Sequence, residues 1–249
     1  MNNLPEVVVL AGGVGKRFKD HNSESPDKPL IEVGGATQIA WSLLGALNSY
    51  PKSRFYIASR SELIEPLKSE IESRFSGLVT EYVDVGAATR GAAHTLKLFV
   101  EKSRMLNRDS RIISCDNDCL SLVSTPIEPN FISVMHSDNP GHCYVSTSDE
   151  GVVRMLHEKT VVGSTALSGH YGFASSDMYL DSYHACNFNE EEYFLSQVVR
   201  QAISNHAVFS AVACDQYLSL GTPAEIQRLN LDVIDFNDYK MGILMRKNA

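Results

Sequence analysis

The stretch that most constrains the fold is a short apolar run followed directly by glycines. Residues 7–10 read Val-Val-Val-Leu and predict a buried strand. Three glycines follow at positions 12, 13 and 15, and then come the two cations Lys16 and Arg17. A glycine-rich turn lets backbone N–H groups approach an anion closely, and nearby cations neutralise its charge. The sequence therefore predicts that a phosphate group binds where this strand ends.

Strand and helix patterns alternate through the first half of the chain. Further strands are predicted at residues 54–58, 78–83 and 111–115, and helices at residues 37–47, 61–74 and 91–105, the second of them capped by Ser61. This alternation predicts a parallel sheet with helices on both faces. Ligands of such sheets bind beyond the carboxyl ends of the strands. The glycine turn and the cluster Asp116-Asn117-Asp118 both follow strands, so we expect them to face one crevice.

The second half of the chain has a different pattern. Strands separated by polar turns are predicted at residues 131–136, 142–147, 152–158, 168–174 and 208–213. A helix is predicted at residues 190–205, and Gly221-Thr222-Pro223 is expected to open the last helix, because proline suits a first helical turn. This succession of strands predicts that the sheet is mixed in its second half.

Composition excludes several classes of protein. A formal net charge of −8 over 249 residues argues against nucleic acid as the main partner. No segment approaches the roughly 20 apolar residues needed to cross a bilayer, and the first residues lack the features of a signal peptide. The five cysteines are odd in number and form no CxxC pair, which is typical of reduced thiols rather than zinc ligands. We therefore expect a cytoplasmic protein with no membrane partner.

Several motifs taken together resemble the sugar-1-phosphate nucleotidyltransferases, also called NDP-sugar pyrophosphorylases. The glycine turn lacks the third glycine of a dinucleotide-binding G-x-G-x-x-G, and no P-loop G-K-[ST] occurs. The resemblance covers roughly residues 5–235 and lies in these stretches, in chain order: LAGGVGKRF (residues 10–18), DKPL (27–30), VGG (33–35), RGAA (90–93), CDN (115–117), EK (158–159), SGHYGF (168–173) and GTP (221–223).

The resemblance implies a fold, a reaction and a set of site residues. The fold would be α/β, a Rossmann-like mixed and mainly parallel sheet with helices on both faces, the nucleotide-diphospho-sugar transferase fold. Residues 1–249 would form a single domain, with a nucleotide-binding half at about 1–125 and an acceptor-binding half at about 126–249. The reaction would be Mg²⁺-dependent transfer of a nucleoside monophosphate from an NTP to a sugar-1-phosphate, releasing pyrophosphate.

The implied site residues fall into four groups. Catalysis would use Arg17, Lys28 and Asp116, and Asp116 would also hold Mg²⁺. The nucleotide would be bound by Leu10, Ala11, Gly12, Gly13, Gly15, Lys16, Arg17 and Gly91. The sugar phosphate would be bound by Glu158, Lys159, Gly169 and Arg200.

Two positions depart from the family pattern. Many relatives have an aspartate two residues before Gly-Thr-Pro as a second metal ligand, whereas this chain has Ser219 there. For the metal ligand predicted at Asp116, Asp118 is the alternative. Gly86 lies near the position where many relatives have a base-reading glutamine, so the sequence does not identify the base.

Three readings of the function therefore stay open. The first is the sugar-1-phosphate nucleotidyltransferase, for which the family implies a role in polysaccharide precursor synthesis. The second is a MobA-like or cytidylyltransferase-like enzyme that acts on a non-sugar phosphate. The third is a non-catalytic nucleotide-binding homologue, an idea motivated by Ser219 and opposed by Arg17, Lys28 and Asp116. Assembly into a homo-oligomer is also left open.

Overall fold

The computed structural model describes residues 4–123, 128–189, 191–229, 231 and 234–247. Within these residues, ten strands form one mixed sheet, and two short strands form a separate ribbon. The strands are β1 (Glu6–Ala11), β2 (Glu32–Val33), β3 (Ala36–Thr37), β4 (Arg54–Arg60), β5 (Thr80–Gly86), β6 (Ile112–Asp116), β7 (Cys119–Val123), β8 (Phe131–His136), β9 (Cys143–Thr147), β10 (Val153–Glu158), β11 (Thr165–Phe173) and β12 (Ser210–Ser219). The α-helices are α1 (Lys16–His21), α2 (Gln38–Ser49), α3 (Ile64–Arg74), α4 (Ala92–Lys102), α5 (Ser176–Ala185), α6 (Leu195–Ser204), α7 (Pro223–Gln227) and α8 (Phe236–Lys247).

The first half of the sheet is parallel and has the strand order β5-β4-β1-β6. Strand β1 lies between β4 and β6, so its carboxyl end has a strand end on each side. In the pairing register, Leu10 is opposite Ala58 on β4 and Asp116 on β6. The glycine turn and Asp116 therefore leave the sheet at neighbouring points, and the expectation that they face one crevice is confirmed.

The second half of the sheet is largely antiparallel. Strand β11 joins the parallel half by pairing antiparallel with β6 and pairs with β8 on its other side. Strand β12 runs parallel to β8 and antiparallel to β7. Strands β9 and β10 form an antiparallel pair that attaches to β11 through β9. The predicted mixed sheet is confirmed, and its antiparallel half brings Glu158, at the end of β10, toward the crevice.

Alternate residues of β1 are buried under helices on opposite faces of the sheet. Val7 and Val9 pack with α2, α3 and α8, where Trp41 meets Phe236 edge-to-face at 5.0 Å. Val8 and Leu10 pack with α4, α5 and α6. Each fully buried aliphatic side chain contributes about 1.5–3 kcal/mol. The predicted α/β fold with helices on both faces is confirmed, and burial on both faces explains why residues 7–10 form an uninterrupted apolar run.

Four details of the sequence prediction were wrong. The helix predicted at residues 190–205 begins at Leu195, and position 190 lies outside the described residues. Ser61 does not cap α3; it begins a short 3-10 turn, and its hydroxyl donates to Asp84. Strand β7 was missed because it follows β6 after a two-residue turn. Helix α7 is not the last helix, since α8 follows it and packs on α2.

Two general features of the chain agree with its composition. All five cysteines carry free thiols. Among the described helices, none is long and apolar enough to cross a membrane.

Candidate active site

The glycine loop after β1 is held from behind by three side-chain or backbone donors. The Asn117 side-chain amide donates to the carbonyl of Leu10, and the Ser59 hydroxyl donates to the carbonyl of Ala11 at 3.1 Å. The backbone N–H of Thr89 donates to the carbonyl of Gly12, also at 3.1 Å. Because these three consecutive carbonyls are satisfied by the protein, the loop has a fixed path out of the sheet.

The glycines of the loop meet different surroundings. A Cβ built on Gly12 would lie 2.8 Å from the Thr95 hydroxyl oxygen, so only glycine fits there. Gly15 has φ +68°, and a Cβ there would lie 2.7 Å from the Cβ of Lys28. A Cβ on Gly13, by contrast, would meet no atom within 4 Å. The loop is thus packed tightly on the protein side and open at Gly13, as a loop that receives a ligand requires.

Lys28 begins a 3-10 turn, Lys28–Leu30, that folds back against the glycine loop. Its ammonium nitrogen lies 2.5 Å from Asp118 Oδ2, and both side chains are largely buried, at 16% and 19% exposed. Pro29 stiffens the turn and limits the backbone of Lys28. The predicted cation and the acidic cluster therefore meet directly, although they are 90 residues apart in sequence.

The two carboxylates of the acidic cluster have opposite pKa shifts. Burial and the neighbouring Asp118 carboxylate raise the pKa of Asp116 to about 8, although Lys28 and Arg17 act in the other direction. Burial would also raise the pKa of Asp118, but the charge of Lys28 and its hydrogen bond outweigh it and lower that pKa. At neutral pH the pair therefore consists of an ionised Asp118 beside Lys28 and a buried Asp116 carboxyl that is largely protonated, and a cation entering the site would favour the ionised form of Asp116.

Gly169 on β11 closes the crevice beside Asp116. It has φ +93°, and a Cβ there would lie 3.3 Å from Asp116 Oδ2 and 2.9 Å from the sulfur of Cys119. This left-handed conformation and close approach require glycine. The predicted site residue Gly169 therefore lies in contact with the predicted metal ligand.

Ser219, which stands where many relatives have an aspartate, lies next to two other carboxylates. It pairs with Cys119 in the β12–β7 ladder, so it is adjacent to Asp118. A Cβ on Gly221 would lie 2.9 Å from Asp118 Oδ2 and 3.3 Å from Glu225 Oε2. Carboxylates of two neighbouring segments thus lie close to Ser219.

Glu225 was not identified from the sequence, and it is the centre of a polar cluster. Its Oε1 lies 3.0 Å from His142 Nε2 and accepts from the Asn139 amide, also at 3.0 Å, while its Oε2 accepts from the Thr222 hydroxyl at 2.9 Å. Burial opposes its ionisation, but the hydrogen bonds from His142, Ser219 and Thr222 lower the pKa of Glu225 to about 2. This cluster ties α7 to the loop before β9.

Replacing Glu225 with glutamine is expected to lower the free energy of unfolding by about 2–3 kcal/mol at pH 7. The folded pKa of Glu225 is depressed from 4.5 to about 2, so its contribution is present above about pH 4.5 and is lost as the pH falls toward 2. Urea unfolding of both proteins at pH 7 and pH 3 measures this: the difference should shrink at pH 3. Glu65→Gln, at an exposed position on α3, is the control and should change stability by less than about 0.5 kcal/mol. An equal difference at both pH values would contradict the assignment.

The side of the crevice opposite the glycine loop is formed where β10 ends. The Ser196 hydroxyl, in the first turn of α6, donates to Glu158 Oε2 at 2.6 Å. Lys159 follows with φ +51°, an uncommon conformation for a non-glycine residue. Its backbone N–H donates to the carbonyl of His142 at 3.1 Å, and its ammonium lies 4.7 Å from the centre of the Phe194 ring. The charge of Glu158 raises the pKa of Asp116, so the two carboxylates act on each other across the crevice.

The remaining predicted residues lie in three places. Lys16 and Arg17 are exposed at the start of α1, and the charge of Arg17 acts on both Asp116 and Asp118. Gly91 caps α4 and lies so close to Tyr193 that a Cβ would come within 2.6 Å of its carbonyl oxygen. Arg200 is exposed on α6 and lines a surface pocket with Cys186 and Gln197.

Comparison with known proteins shows what this fold resembles. No protein-family model matches the chain. The bifunctional protein GlmU of Aliarcobacter butzleri is 23% identical over 253 residues, which span 96% of this chain and 56% of that protein. The chain thus corresponds to little more than half of that relative's length.

Solved structures with the same fold agree with this sequence match. The nucleoside-diphosphate-sugar pyrophosphorylase from Vibrio cholerae RC9 has a TM-score of 0.76 at 17% identity, over 89% of this chain and 98% of that one. A candidate glucose-1-phosphate thymidylyltransferase from Bacillus anthracis, in complex with a sucrose, has a TM-score of 0.73 at 18% identity, covering 93% and 96%. The inositol-1-phosphate CTP transferase from T. maritima has a TM-score of 0.73 at 14% identity, covering 97% of each chain. The family resemblance indicated by the motifs is confirmed at the level of the fold.

Proposed function

We propose that this protein transfers a nucleoside monophosphate from an NTP to a sugar-1-phosphate, releasing pyrophosphate and forming an NDP-sugar. The observation that carries the proposal is the meeting of four separate chain segments at one edge of the sheet. Arg17 after the glycine loop, Lys28, Asp118 and Glu158 all act electrostatically on Asp116, and Lys28 forms an ion pair with Asp118. A cation-lined loop beside an acidic pair, with a further Glu-Lys pair opposite, suits a reaction between two phosphorylated substrates.

The nucleotide is proposed to bind the half of the chain at about residues 1–125. The backbone of Leu10, Ala11, Gly12, Gly13, Gly15 and Lys16 receives the triphosphate, and Gly91 at the start of α4 borders it. Arg17 and Lys28 neutralise the β- and γ-phosphates. Support comes from the open space at Gly13 and from the charge of Arg17, which acts on both aspartates.

The acceptor is proposed to bind the half at about residues 126–249. Glu158 accepts hydrogen bonds from hydroxyl groups of the acceptor, and Lys159 binds its phosphate, with Arg200 as a further phosphate contact. Gly169, which packs closely against Asp116, lines the acceptor site. Support comes from the Ser196 hydrogen bond that orients Glu158 and from the fixed backbone of Lys159.

A divalent cation fits the acidic pair. Carboxylate oxygens are preferred ligands of Mg²⁺, and a bound cation would stabilise the ionised form of Asp116, whose pKa is raised by burial and by the Asp118 carboxylate. Among the described residues, no group of three or more His, Cys, Asp or Glu side chains is arranged to hold a metal. Asp116 would therefore hold Mg²⁺ together with substrate phosphate oxygens, and Asp118 is the alternative to Asp116 as the ligand. When bound, Mg²⁺ supplies neutralisation of phosphate charge.

The residues of the chain then act by positioning and by charge. An oxygen of the acceptor phosphate attacks the α-phosphorus of the NTP, the bond from that phosphorus to the bridging oxygen breaks, and pyrophosphate leaves with the electron pair. The attacking oxygen is already ionised near neutral pH, because the second pKa of a phosphate monoester is about 6, so no general base is required. Lys28 and Arg17 stabilise the charge that builds up on the leaving pyrophosphate.

The test is an assay of pyrophosphate release. The protein is incubated with Mg²⁺, each of the four common NTPs and a panel of acceptors that contains hexose-1-phosphates, inositol-1-phosphate and phosphocholine. Release that requires one NTP together with one sugar-1-phosphate is the expected result, and the product is confirmed by mass spectrometry. No release with any pair, despite measurable NTP binding, would instead support a non-catalytic nucleotide-binding protein.

A second candidate acceptor is a phosphate that is not carried by an ordinary sugar. The observation in its favour is the fold likeness to the inositol-1-phosphate CTP transferase, over 97% of both chains. The same acceptor panel separates the two candidates. A cytoplasmic location, a role in polysaccharide precursor synthesis and assembly into a homo-oligomer stay predictions from the sequence.

A further inference from the structure

Arg60 is a buried charge that the proposed reaction does not use. It is the last residue of β4, it is 8% exposed, and it therefore lies at the same edge of the sheet as the glycine loop. One guanidinium nitrogen lies 2.7 Å from Asp27 Oδ1, and the other lies 2.6 Å from Glu62 Oε1. Its two partners differ in side-chain exposure: Glu62 is 57% exposed, whereas Asp27 is 32% exposed. A charge this deeply buried is retained only where it is compensated.

Asp27 is the residue directly before Lys28, and it belongs to the same turn. Its backbone carbonyl accepts from the N–H of Leu30 at 2.8 Å and so closes the 3-10 turn Lys28–Leu30. Pro29 within the turn restricts both its own backbone and that of Lys28. A contact that holds the Asp27 side chain therefore fixes the direction in which the turn presents Lys28.

The segment before this turn has few other anchors. Residues 21–24 and 26 are exposed, and they form neither a strand nor a continuous helix beyond the end of α1. Lys19 donates to the carbonyl of Ser25, but among the described residues between positions 20 and 27, Asp27 alone forms an ion pair with the body of the protein. Lys28 itself has two contacts: its Cβ packs against Gly15, and its ammonium forms an ion pair with Asp118.

We propose that Arg60 is a positioning residue that, through its ion pair with Asp27, holds Lys28 where its ammonium meets the phosphates. The proposal rests on the proposed function for its catalytic consequence, but the placement of Lys28 is a property of the protein alone. Arg60 itself touches no reacting atom. Supporting contacts of this kind commonly determine whether a reactive group stands at the required place.

The experiment compares Asp27→Asn with Glu62→Gln, which removes the other carboxylate partner of the same guanidinium. Each variant is acetylated with acetic anhydride in the absence of substrates, and peptide mass spectrometry gives the rate at Lys28 relative to exposed Lys68. Asp27→Asn should raise this ratio at least about threefold, because Lys28 leaves Asp118 when its turn is released. Glu62→Gln should change it less than about twofold, since exposed ion pairs contribute little.

A double-mutant cycle adds a readout that a purely structural role would not move. Asp27→Asn should lower kcat/KM for pyrophosphate release about tenfold in the wild-type background and less than about twofold in a Lys28→Ala background. An unchanged acetylation ratio, or an equal loss of kcat/KM in both backgrounds, would overturn the proposal. If the wild-type protein releases no pyrophosphate, the proposed function fails, and the acetylation ratio still decides the placement of Lys28.

Arg60→Lys, which keeps the buried charge but loses the two-pronged contact, replaces Asp27→Asn if that variant does not fold.

Discussion

Replacing Asp116 with alanine is expected to lower turnover at least about a hundredfold while the protein stays folded. Asp116 lies level with Leu10, beside the glycine loop, in contact with Gly169 and within electrostatic reach of Lys28, Arg17 and Glu158. Its carboxylate is thus at the point where the triphosphate and the acceptor would meet. The measurement is pyrophosphate release at saturating substrates, with circular dichroism to confirm the fold. Asp181→Ala, at an exposed position on α5, is the control and should retain wild-type turnover.

The same position gives a test that needs no substrate. The pKa of Asp116 is raised from 3.8 to about 8, so deprotonation costs stability: the wild-type protein loses stability as the pH rises from about 4 to about 8. Asp116→Asn, which resembles the protonated form, should therefore raise the free energy of unfolding at pH 8 by at least about 1 kcal/mol and leave it unchanged near pH 4. A loss of stability at pH 8 would show that the ionised Asp116 carboxylate is not disfavoured in the folded protein, and therefore that its pKa is not raised.

Replacing Lys28 with alanine is expected to lower turnover by at least about a hundredfold as well. The ammonium is a largely buried cation that faces the acidic pair, and the pyrophosphate that leaves in the proposed reaction would need such a charge. The variant also leaves Asp118 without its partner in a largely buried position, so stability should fall by about 1–3 kcal/mol. Lys28→Arg keeps the charge with a different shape and should be intermediate in turnover.

The control for this prediction is Lys52→Ala, at an exposed position after α2, which should leave both turnover and stability unchanged. Turnover is followed by pyrophosphate release and stability by urea unfolding. Near-normal turnover of Lys28→Ala in a folded protein would remove Lys28 from the mechanism. A large loss of stability with normal turnover would leave it a purely structural role.

The sequence predicted the fold well because the strongest patterns are local. Four consecutive apolar residues before the glycines are read directly as β1, and the alternation of strands and helices then predicts the parallel half of the sheet. Strand β7 was missed because it begins only two residues after β6 ends, so its signal merges with that of β6, and its antiparallel partner β12 lies about 90 residues further along the chain. The start of α6 was placed too early because Tyr193 and Phe194 are as apolar as the helix that follows them.

The motifs identified many of the residues of the candidate site, but they did not predict which of those residues contact one another. Lys28 and the acidic cluster were both singled out, but their meeting depends on a sheet register that no short pattern contains. Glu225 and Arg60 carried no motif at all, since their importance comes from the groups around them. One signal was available: Ser219 stood out as a departure and Asp118 as an alternative ligand, and the pairing of β7 with β12 brings the two close together.

The way in which the backbone of the glycine loop is held determines whether the loop can be grafted into another protein. Two of the donors that hold its carbonyls, Ser59 and Asn117, are 48 and 107 residues away from their partners. The conformation of the loop's roughly ten residues therefore depends on residues that lie far away in the sequence. A peptide of this sequence, or the same residues grafted onto a foreign strand, should bind phosphate no better than any flexible basic peptide. A graft that keeps the conformation of the loop would have to include the neighbouring strand ends that carry Ser59 and Asn117.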